Sequence, residues 1–334
     1  MKEIAIILPA YNAEKTIGST IESILNQSYD NYELIIVNDH SSDETENICK
    51  RYEKNNSEKI RFFNNIENKK GVSSARNYGI SISNSRYIMF IDSDDTYEKN
   101  MLSEMRLNIQ ENDFVICGIR KKINDQAEEI NNICQEQIAT NINQKKMIIE
   151  ELQKNDLFNG PCNKIFKSEI IKKSNIKFPE DISLGEDYRF VLDYTEQADS
   201  IKAINKVLYI YNRKQTGLAL KYDKNNLKTR LNNLIYHKNF YIRNNLDTYY
   251  LDKSYIVTIF SGFAEIVRNN PKKEAKKIIK EYIDDKALNE ELDKIYNKKL
   301  KLFINILKIK NVQIDYSLGK IYNFIKKIYK TCKK

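Results

Sequence analysis

The chain has 334 residues, 41% of them hydrophobic and 30% charged, and a formal net charge of +9. That length buries one large core, or one domain with a helical extension, and no apolar run approaches the ~18 residues of a membrane-spanning helix, which argues against an integral membrane protein. The charge is unevenly placed: residues 298–334 hold eleven lysines and one acid, Asp315, a surplus of ten that leaves the other 297 residues near −1.

Met1-Lys2-Glu3 runs straight into a strand-like stretch without the charged, apolar and small-residue blocks of a signal peptide. Five cysteines (Cys49, Cys117, Cys134, Cys162 and Cys332) are odd in number and form no Cys-x-x-Cys pair, so they read as reduced thiols of a cytoplasmic protein. His40 and His237 are too few for a histidine-rich metal site or a histidine-based triad.

Residues 3–9 form the first expected strand, and Pro9-Ala-Tyr11-Asn-Ala-Glu14 the turn after it. Ile17, Ile21, Ile24 and Leu25 then fall at helical spacing, predicting a helix from about Glu14 to Gln27. Tyr32 to Val37 reads as a second strand ending in Asn38-Asp39, with Ser41 or Ser42 as the N-cap of the next helix. A short strand over Ile60 to Phe63 precedes Gly71-Val-Ser-Ser-Ala-Arg76-Asn77-Tyr78-Gly79, which opens another helix. Tyr87 to Ile91 is a continuous apolar run, as in a strand covered on both faces, and it ends in Asp92-Ser93-Asp94-Asp95. This alternation predicts a doubly wound α/β domain whose mostly parallel strands bring Tyr11, Asp39 and Asp92–Asp95 to one edge.

The chemistry available at that edge is specific. Clustered carboxylates repel one another unless a cation lies among them, and oxygen ligands with substrate phosphates suit Mg²⁺ or Mn²⁺; the same four residues are also good turn and helix-cap material. Asp39 either accepts hydrogen bonds from a base or ribose or caps a helix, and Tyr11 either stacks on a base or fills a loop. No Gly-x-Gly-x-x-Gly follows the first strand, which disfavours an ordinary dinucleotide fold. Phosphate charge then falls to a metal and to basic side chains such as Arg76.

Pro9-Ala-Tyr-Asn-Ala-Glu14, Val37-Asn-Asp39, Gly71-x-x-x-Ala75-Arg76-Asn77-x-Gly79 and Phe90-Ile-Asp92-Ser-Asp94-Asp95 occur in order and at the expected intervals. Together they resemble the nucleotide-sugar-binding half of family 2 glycosyltransferases, which have the GT-A fold. The resemblance covers about residues 1–217: a donor half, 1–118, and an acceptor half, 119–217. It implies that Pro9, Tyr11, Glu14 and Asp39 line the donor site with Tyr11 and Asp39 on uracil, that Arg76 lies near the nucleotide, and that Asp92 lies by the ribose and metal. Asp94 would bind Mn²⁺ or Mg²⁺ on the diphosphate.

Farther along, Asn112 to Gly118 reads as a strand and residues 120–140 as a polar excursion. Asn163-Lys164-Ile-Phe166-Lys167 resembles a family segment on the acceptor side, which implies that role for Lys164. Gly185 permits a tight turn, and Glu186-Asp187 open a helix containing Phe190, Val191 and Tyr194. First-turn carboxylates favour the helix dipole on their own account. The resemblance makes this pair catalytic, with Asp187 the base that takes the acceptor's proton. Leu208 to Gly217 resembles the strand and basic loop over the diphosphate, with Arg213 and Lys214 as donor contacts; Leu218 stands where the family often has serine, with Thr216 a substitute.

The function implied is inverting, metal-dependent transfer of a sugar from a UDP-sugar to a hydroxyl of a glycan or lipid-linked acceptor, in bacterial surface polysaccharide assembly such as capsule, exopolysaccharide or lipooligosaccharide. A sugar-phosphate nucleotidyltransferase is the alternative on a related fold, but Pro9–Glu14 is not the Gly-rich basic loop it would want. A nucleic-acid-binding protein using the lysine tail is a third reading, and no recognition motif accompanies that tail. Residues 218–334 read as helical, with Pro271 dividing two helices. Leu300, Phe303, Ile304 and Leu307, then Ile321, Phe324, Ile325 and Ile328, interleave with lysines as in a basic amphipathic helix, which either lies on an anionic membrane or packs on the core.

Overall fold

The structure is a computed structural model describing residues 2–66, 70–123, 127–182, 184–213, 225–295 and 300–320. The chain forms two compact units, Met1–Gln215 and Thr216–Lys334.

In the first unit, strand β1 (Ile4–Ala10) leads to α1 (Ile17–Leu25), β2 (Tyr32–Asn38) to α2 (Thr45–Asn55), and β3 (Ile60–Asn64) to α3 (Val72–Ile82). Then come β4 (Tyr87–Phe90), β5 (Thr96–Tyr97), α4 (Met101–Ile109), β6 (Phe114–Ile123), β7 (Ala127–Asn131), β8 (Gln137–Ala139) and α5 (Ile142–Lys154). β9 (Lys164–Lys167), α6 (Ser168–Lys173), α7 (Glu186–Gln197) and β10 (Ile201–Arg213) complete it. The sheet order is β3-β2-β1-β4-β9-β6-β10-β5, with β7 on β6 and β8 on β10.

Every residue of β1 and β2 is buried, so both faces of this part of the sheet are covered. The β1, β2, β3 and β4 pairings are parallel. Asn38 is therefore level with Ala10, and Phe90 with Ile7, which sends the strand ends at Tyr11, Asp39 and Asp92 to one edge. Pro9 sits within β1 where only β2 still pairs, because β4 stops opposite Ile7; the missing proline N–H leaves no ladder bond unmade there. Helix α3 lies so close on β1 that a Cβ at Gly79 would stand 2.6 Å from Ile7 Cγ2.

Several expected boundaries move. Helix α1 starts at Ile17, because Glu14 and Lys15 remain in a turn. Ser41 and Ser42 cap nothing: Asp43 Oδ1 accepts the Thr45 N–H at the start of α2, while the serines bond Asn12 across the loop pair. The polar stretch after Gly118 is not wholly irregular, since β6 runs on to Ile123 and pairs with β7. The segment Lys164–Lys167 is itself a strand, wedged antiparallel between β4 and β6. Its alternation is only four residues long, too short to be told from a loop by pattern.

An aromatic cluster locks the middle of this unit. Phe90 lies 5.5 Å from Phe190 and 5.8 Å from Phe166, while Phe178 stacks on Phe190 at 4.0 Å. All four are fully buried or nearly so, and each contributes about 1.5–3 kcal/mol through removal from water. Phe90 sits two residues before Asp92 and Phe190 three after Asp187, so this packing fixes the spacing of the two acidic corners.

In the second unit, α8 (Asn226–Arg243), α9 (Tyr249–Asn269), α10 (Lys272–Ile283), α11 (Lys286–Asp293) and α12 (Lys301–Lys308) share a core that includes Leu231, Ile259, Phe263, Ile279 and Leu292. Pro271 ends α9 and caps α10. Leu300, Ile304 and Leu307 are buried in that core, so the first part of the basic tail packs, while Phe303 stays 44% exposed. Ile321, Phe324, Ile325 and Ile328 lie outside the described residues.

Candidate active site

Three strand ends and the start of α7 meet at one edge. After β1, Tyr11 is 59% exposed, its ring open to solvent. The loop carrying it is stitched to the loop after β2. Asn12 N–H donates to Ser41 Oγ at 3.1 Å, Ala13 N–H to Thr45 Oγ1 at 2.7 Å, and Glu14 N–H to Asp43 Oδ2 at 3.1 Å. Glu14, expected at the donor site, is exposed there, and one of its oxygens accepts the Glu44 N–H at the head of α2. Pro9 is buried inside β1 and shapes the strand end without opening onto it.

Asp39 is nearly buried, and both its oxygens already have protein donors. Oδ1 accepts from Asn65 Nδ2 at 2.9 Å and Oδ2 from Gly71 N–H at 2.7 Å, with His40 Nδ1 3.3 Å from Oδ1. Each carboxylate oxygen has a second lone pair, so Asp39 anchors the entry to α3 and still has acceptor capacity. Asn65 went unread in the sequence. It follows β3 as Asp39 follows β2, and its register opposite the β2 end is the signal that could have found it.

The acidic turn after β4 divides its labour. Asp95 points inward: Oδ1 accepts the Asn212 N–H at 2.8 Å and Oδ2 takes a short hydrogen bond from the Tyr209 hydroxyl. Burial, with the neighbouring Asp92 charge, pushes its carboxyl up to about 8. Asn212 also donates through Nδ2 to the Asp94 carbonyl at 2.8 Å, so strand β10 clamps the turn. Asp92 and Asp94 remain partly exposed. Tyr209 and Asn212 were not singled out by sequence reasoning, since neither carries a motif.

Arg76, one turn into α3, is 4% exposed. Nη2 donates to Asp92 Oδ1 at 2.7 Å, Nη1 stands 4.0 Å from Glu186 Oε1, and the guanidinium lies 5.1 Å from the Phe178 ring centroid. Nε and Nη1 make no hydrogen bond among the described residues. Gly185, in the left-handed region at φ +84°, turns the chain so that Glu186 and Asp187 open α7. Burial raises the Glu186 carboxyl, and the Asp187 charge adds to this. Burial also raises Asp187, against the pull of Arg76, while the Tyr188 N–H donates to Asp187 Oδ1 at 2.7 Å.

A cavity of about 440 Å³ contains Asp92, Asp95, Asp156, Gly160, Asp187 and Tyr211 in its lining. Gly160 forms the wall beside the base candidate: a Cβ there would stand 3.6 Å from Asp187 Oδ2. Lys164, expected to face an acceptor, is instead wholly buried, and Nζ donates to the carbonyls of Leu157 and Gly160 and to Asn163 Oδ1. It braces the 157–163 loop from within, and desolvation lowers its ammonium to about 7. The strand position of Lys164, unseen in the sequence, turns the side chain inward. Arg213 closes β10 opposite Ile123; its side chain, and all of Lys214 to Leu218, lie outside the described residues.

No group of three His, Cys, Asp or Glu among the described residues could hold a metal alone. Arg76 occupies one oxygen of Asp92, and Asp95 is spent on Tyr209 and Asn212. Asp94 and Asp92, the partly exposed acids of this turn, make a donor set that is hard and two carboxylates at most. It fits Mg²⁺ or Mn²⁺ that brings phosphate oxygens with it, and does not fit a metal caged by protein alone.

Comparison with known proteins defines the class. The profile of glycosyl transferase family 2 matches residues 5–174, and the chain belongs to that family. It is 30% identical over 221 residues to the uncharacterized glycosyltransferase EpsJ of Bacillus subtilis, covering 65% of this chain and 62% of EpsJ. It is 31% identical over 230 residues to the minor teichoic acid biosynthesis protein GgaB of the same organism, covering 64% of this chain but 23% of GgaB. Residues 1–349 of Staphylococcus aureus TarS, solved with UDP-GlcNAc, superpose with a TM-score of 0.69 at 18% identity, over 96% of this chain and 91% of that one. The shared fold is the GT-A fold, and the chain spans less than two thirds of the length of either Bacillus relative.

Proposed function

We propose that this protein is an inverting, metal-dependent glycosyltransferase that moves a sugar from a UDP-sugar to a hydroxyl of a glycan or lipid-linked acceptor in bacterial surface-polymer assembly. The observation that carries the proposal is that Asp92 and Asp187 line one cavity and that Arg76 pairs with the first and stands beside Glu186 next to the second. Relatives support the donor and the pathway class: GgaB takes part in minor teichoic acid biosynthesis, and TarS was crystallised with UDP-GlcNAc. The catalytic domain in this reading is residues 1–217 and the helical region 218–334.

The donor would lie along the edge from Tyr11 to Asp92. Tyr11 offers an open ring for a base to stack on, and Asp39, held rigid by Gly71 and Asn65, offers an acceptor for a base N–H. Arg76, whose Nε and Nη1 make no hydrogen bond among the described residues, orients Asp92 toward the ribose side and stays charged at any working pH. Asp94 and Asp92 would hold a divalent cation, which when bound stabilises negative charge on a departing diphosphate. Arg213 and Lys214 would add positive charge at the same phosphates.

Asp187 is the proposed base. Its raised carboxyl takes a proton more readily than an exposed aspartate, and the Tyr188 N–H fixes one oxygen so that the other serves the acceptor hydroxyl. Attack by that oxygen on the anomeric carbon opposite the departing diphosphate inverts the configuration. Glu186 completes the negative side of the Arg76 pairing. The free cysteines, Cys49, Cys117 and Cys162 buried and Cys134 exposed, fit a cytoplasmic enzyme, and a lipid-linked acceptor would place it at the inner face of the cell membrane.

The test is a donor screen. UDP-Glc, UDP-Gal, UDP-GlcNAc and UDP-GalNAc are each titrated with and without Mn²⁺, reading thermal shift and hydrolysis. At least one should stabilise the protein in a cation-dependent way. Indifference to all four, with and without cation, would remove the proposal.

A further inference from the structure

Helix α10 carries Lys273, Lys276, Lys277 and Lys280 at positions i, i+3, i+4 and i+7, one stripe opposite the buried Ala275, Ile278, Ile279 and Ile283. Like charges at these spacings repel, and none of the four takes part in an ion pair among the described residues. The stripe lines an open groove of about 740 Å³ whose far wall is Ile309 to Gln313, including Lys310. Tyr316 concentrates the charge further, with the ammonium groups of Lys276 and Lys320 lying 5.8 and 5.2 Å from its ring centroid. Residues 321–334 hold five lysines and no acid, so this stretch adds positive charge and offsets none.

The groove wall continues into an apolar row. Helix α12 buries Ile304 and Leu307 and turns the opposite side outward: Leu302 is 67% exposed and Ile309 58%, one heptad apart with half-buried Ile306 between them. Ile309 belongs to both features, lining the groove and ending the row. Lys301 and Lys310 flank the row and are exposed, while Lys308 beside them pairs with Asp293. Apolar side chains at helical spacing, bordered by lysines and continuous with a cationic stripe that makes no ion pair among the described residues, have the chemistry of a surface that lies in a headgroup layer. A soluble polyanion would explain the lysines and leave Leu302 and Ile309 in water.

We propose that the α10 lysine stripe and the outer row of α12 together form a docking surface for an anionic lipid bilayer, the lysines meeting headgroup phosphates and Leu302 and Ile309 entering the acyl boundary. The surface belongs wholly to the second unit and does not depend on the donor chemistry of the first.

The full chain is floated with vesicles of phosphatidylglycerol and phosphatidylcholine, and with phosphatidylcholine alone, in low and high salt. Binding should need the anionic lipid and weaken with salt. Each lysine of the stripe changed to glutamine should lower partitioning by about fivefold. Leu302→Asn with Ile309→Asn should also lower it at unchanged charge. Circular dichroism and the thermal shift given by UDP-sugar keep folding and donor binding under separate view; a wild-type chain that binds vesicles yet ignores every donor would leave this surface standing and remove only the catalytic reading. Unchanged flotation of the folded four-lysine variant overturns the proposal. So does wild-type binding to long-chain polyphosphate, lost in that variant, when the vesicles bind neither protein.

Discussion

Arg76 and Asp92 meet in a 2.7 Å ion pair in which the guanidinium is buried and the carboxylate is 39% exposed. The cation is thus fixed by the fold, while the anion is left partly free for a ligand. Glu186 stands 4.0 Å from the same guanidinium, so carboxylates from the turn after β4 and from the start of α7 are tied to one buried charge.

Arg76→Met should leave Asp92, Glu186 and Asp187 mutually repelling. Loss of one member of such a buried set costs about 3 kcal/mol, read as a fall in the urea midpoint. The acid limb of the rate profile should also move. Asp187 must be ionised to act as base, so kcat falls as pH drops through its raised pKa, and Arg76 is what holds that pKa down. Without Arg76 the limb shifts to higher pH. A variant that merely loosened the fold would lose amplitude without moving the limb.

Asp187→Asn should lower kcat by about 10²–10⁴-fold through loss of the general base, with UDP-sugar affinity within about twofold of wild type. Isothermal titration beside initial rates checks both halves. Equal loss of binding and turnover would make Asp187 a structural residue.

Asp94→Ala should abolish the cation dependence of nucleotide binding, because Asp92 alone offers a single free oxygen once Arg76 has taken the other. The measurement is UDP affinity with excess Mn²⁺ against excess chelator. Wild type should differ by at least about tenfold, the scale of one or two metal contacts, and the variant should not.

Lys164 gives a prediction whose sign runs opposite to most ion pairs. Its folded pKa is about 7 against an ordinary 10.5, with desolvation the leading cause. The unfolded chain therefore holds the proton more tightly, and the burial penalty is full below pH 7 and fades as pH rises toward 10.5. Wild type should gain stability relative to Lys164→Met as pH climbs from 7 to 10. Urea midpoints of the two proteins across that range check it, and a constant difference would mean that Lys164 does not titrate there.

Gly160 tests the cavity wall. Alanine would place its Cβ 3.6 Å from Asp187 Oδ2, an ordinary contact, so Gly160→Ala should keep activity near wild type. Gly160→Val adds two methyl groups beside the base, and should raise the acceptor KM with donor KM unchanged. Steady-state kinetics with each substrate varied in turn distinguishes this from a loss of fold.

Much of the first unit was legible because its signals are local. The buried run before Asp92, the turn chemistry at Asn38-Asp39 and the glycine before Glu186 each follow from neighbouring residues, since strand period, turn propensity and helix capping act over a few positions. The roles of Glu14, Lys164 and Asp95 were not legible in the same way. A glutamate after a strand, a lysine in a four-residue strand and the last acid of a turn look available in one dimension. Whether each faces a cavity or a neighbour depends on contacts made 30 residues away for Glu14 and more than 100 for Asp95.

By itself, then, the order of residues determined the four parallel strands β1 to β4, that their acidic ends share one edge, and which family the motifs resemble. Only the tertiary structure decided which carboxylates stay available: Arg76 claims part of Asp92, Tyr209 and Asn212 claim Asp95, and Phe90 against Phe190 sets how far Asp92 stands from Asp187. The reason is that burial and hydrogen-bond partnership are properties of packed neighbours, and packing joins residues that the chain keeps far apart.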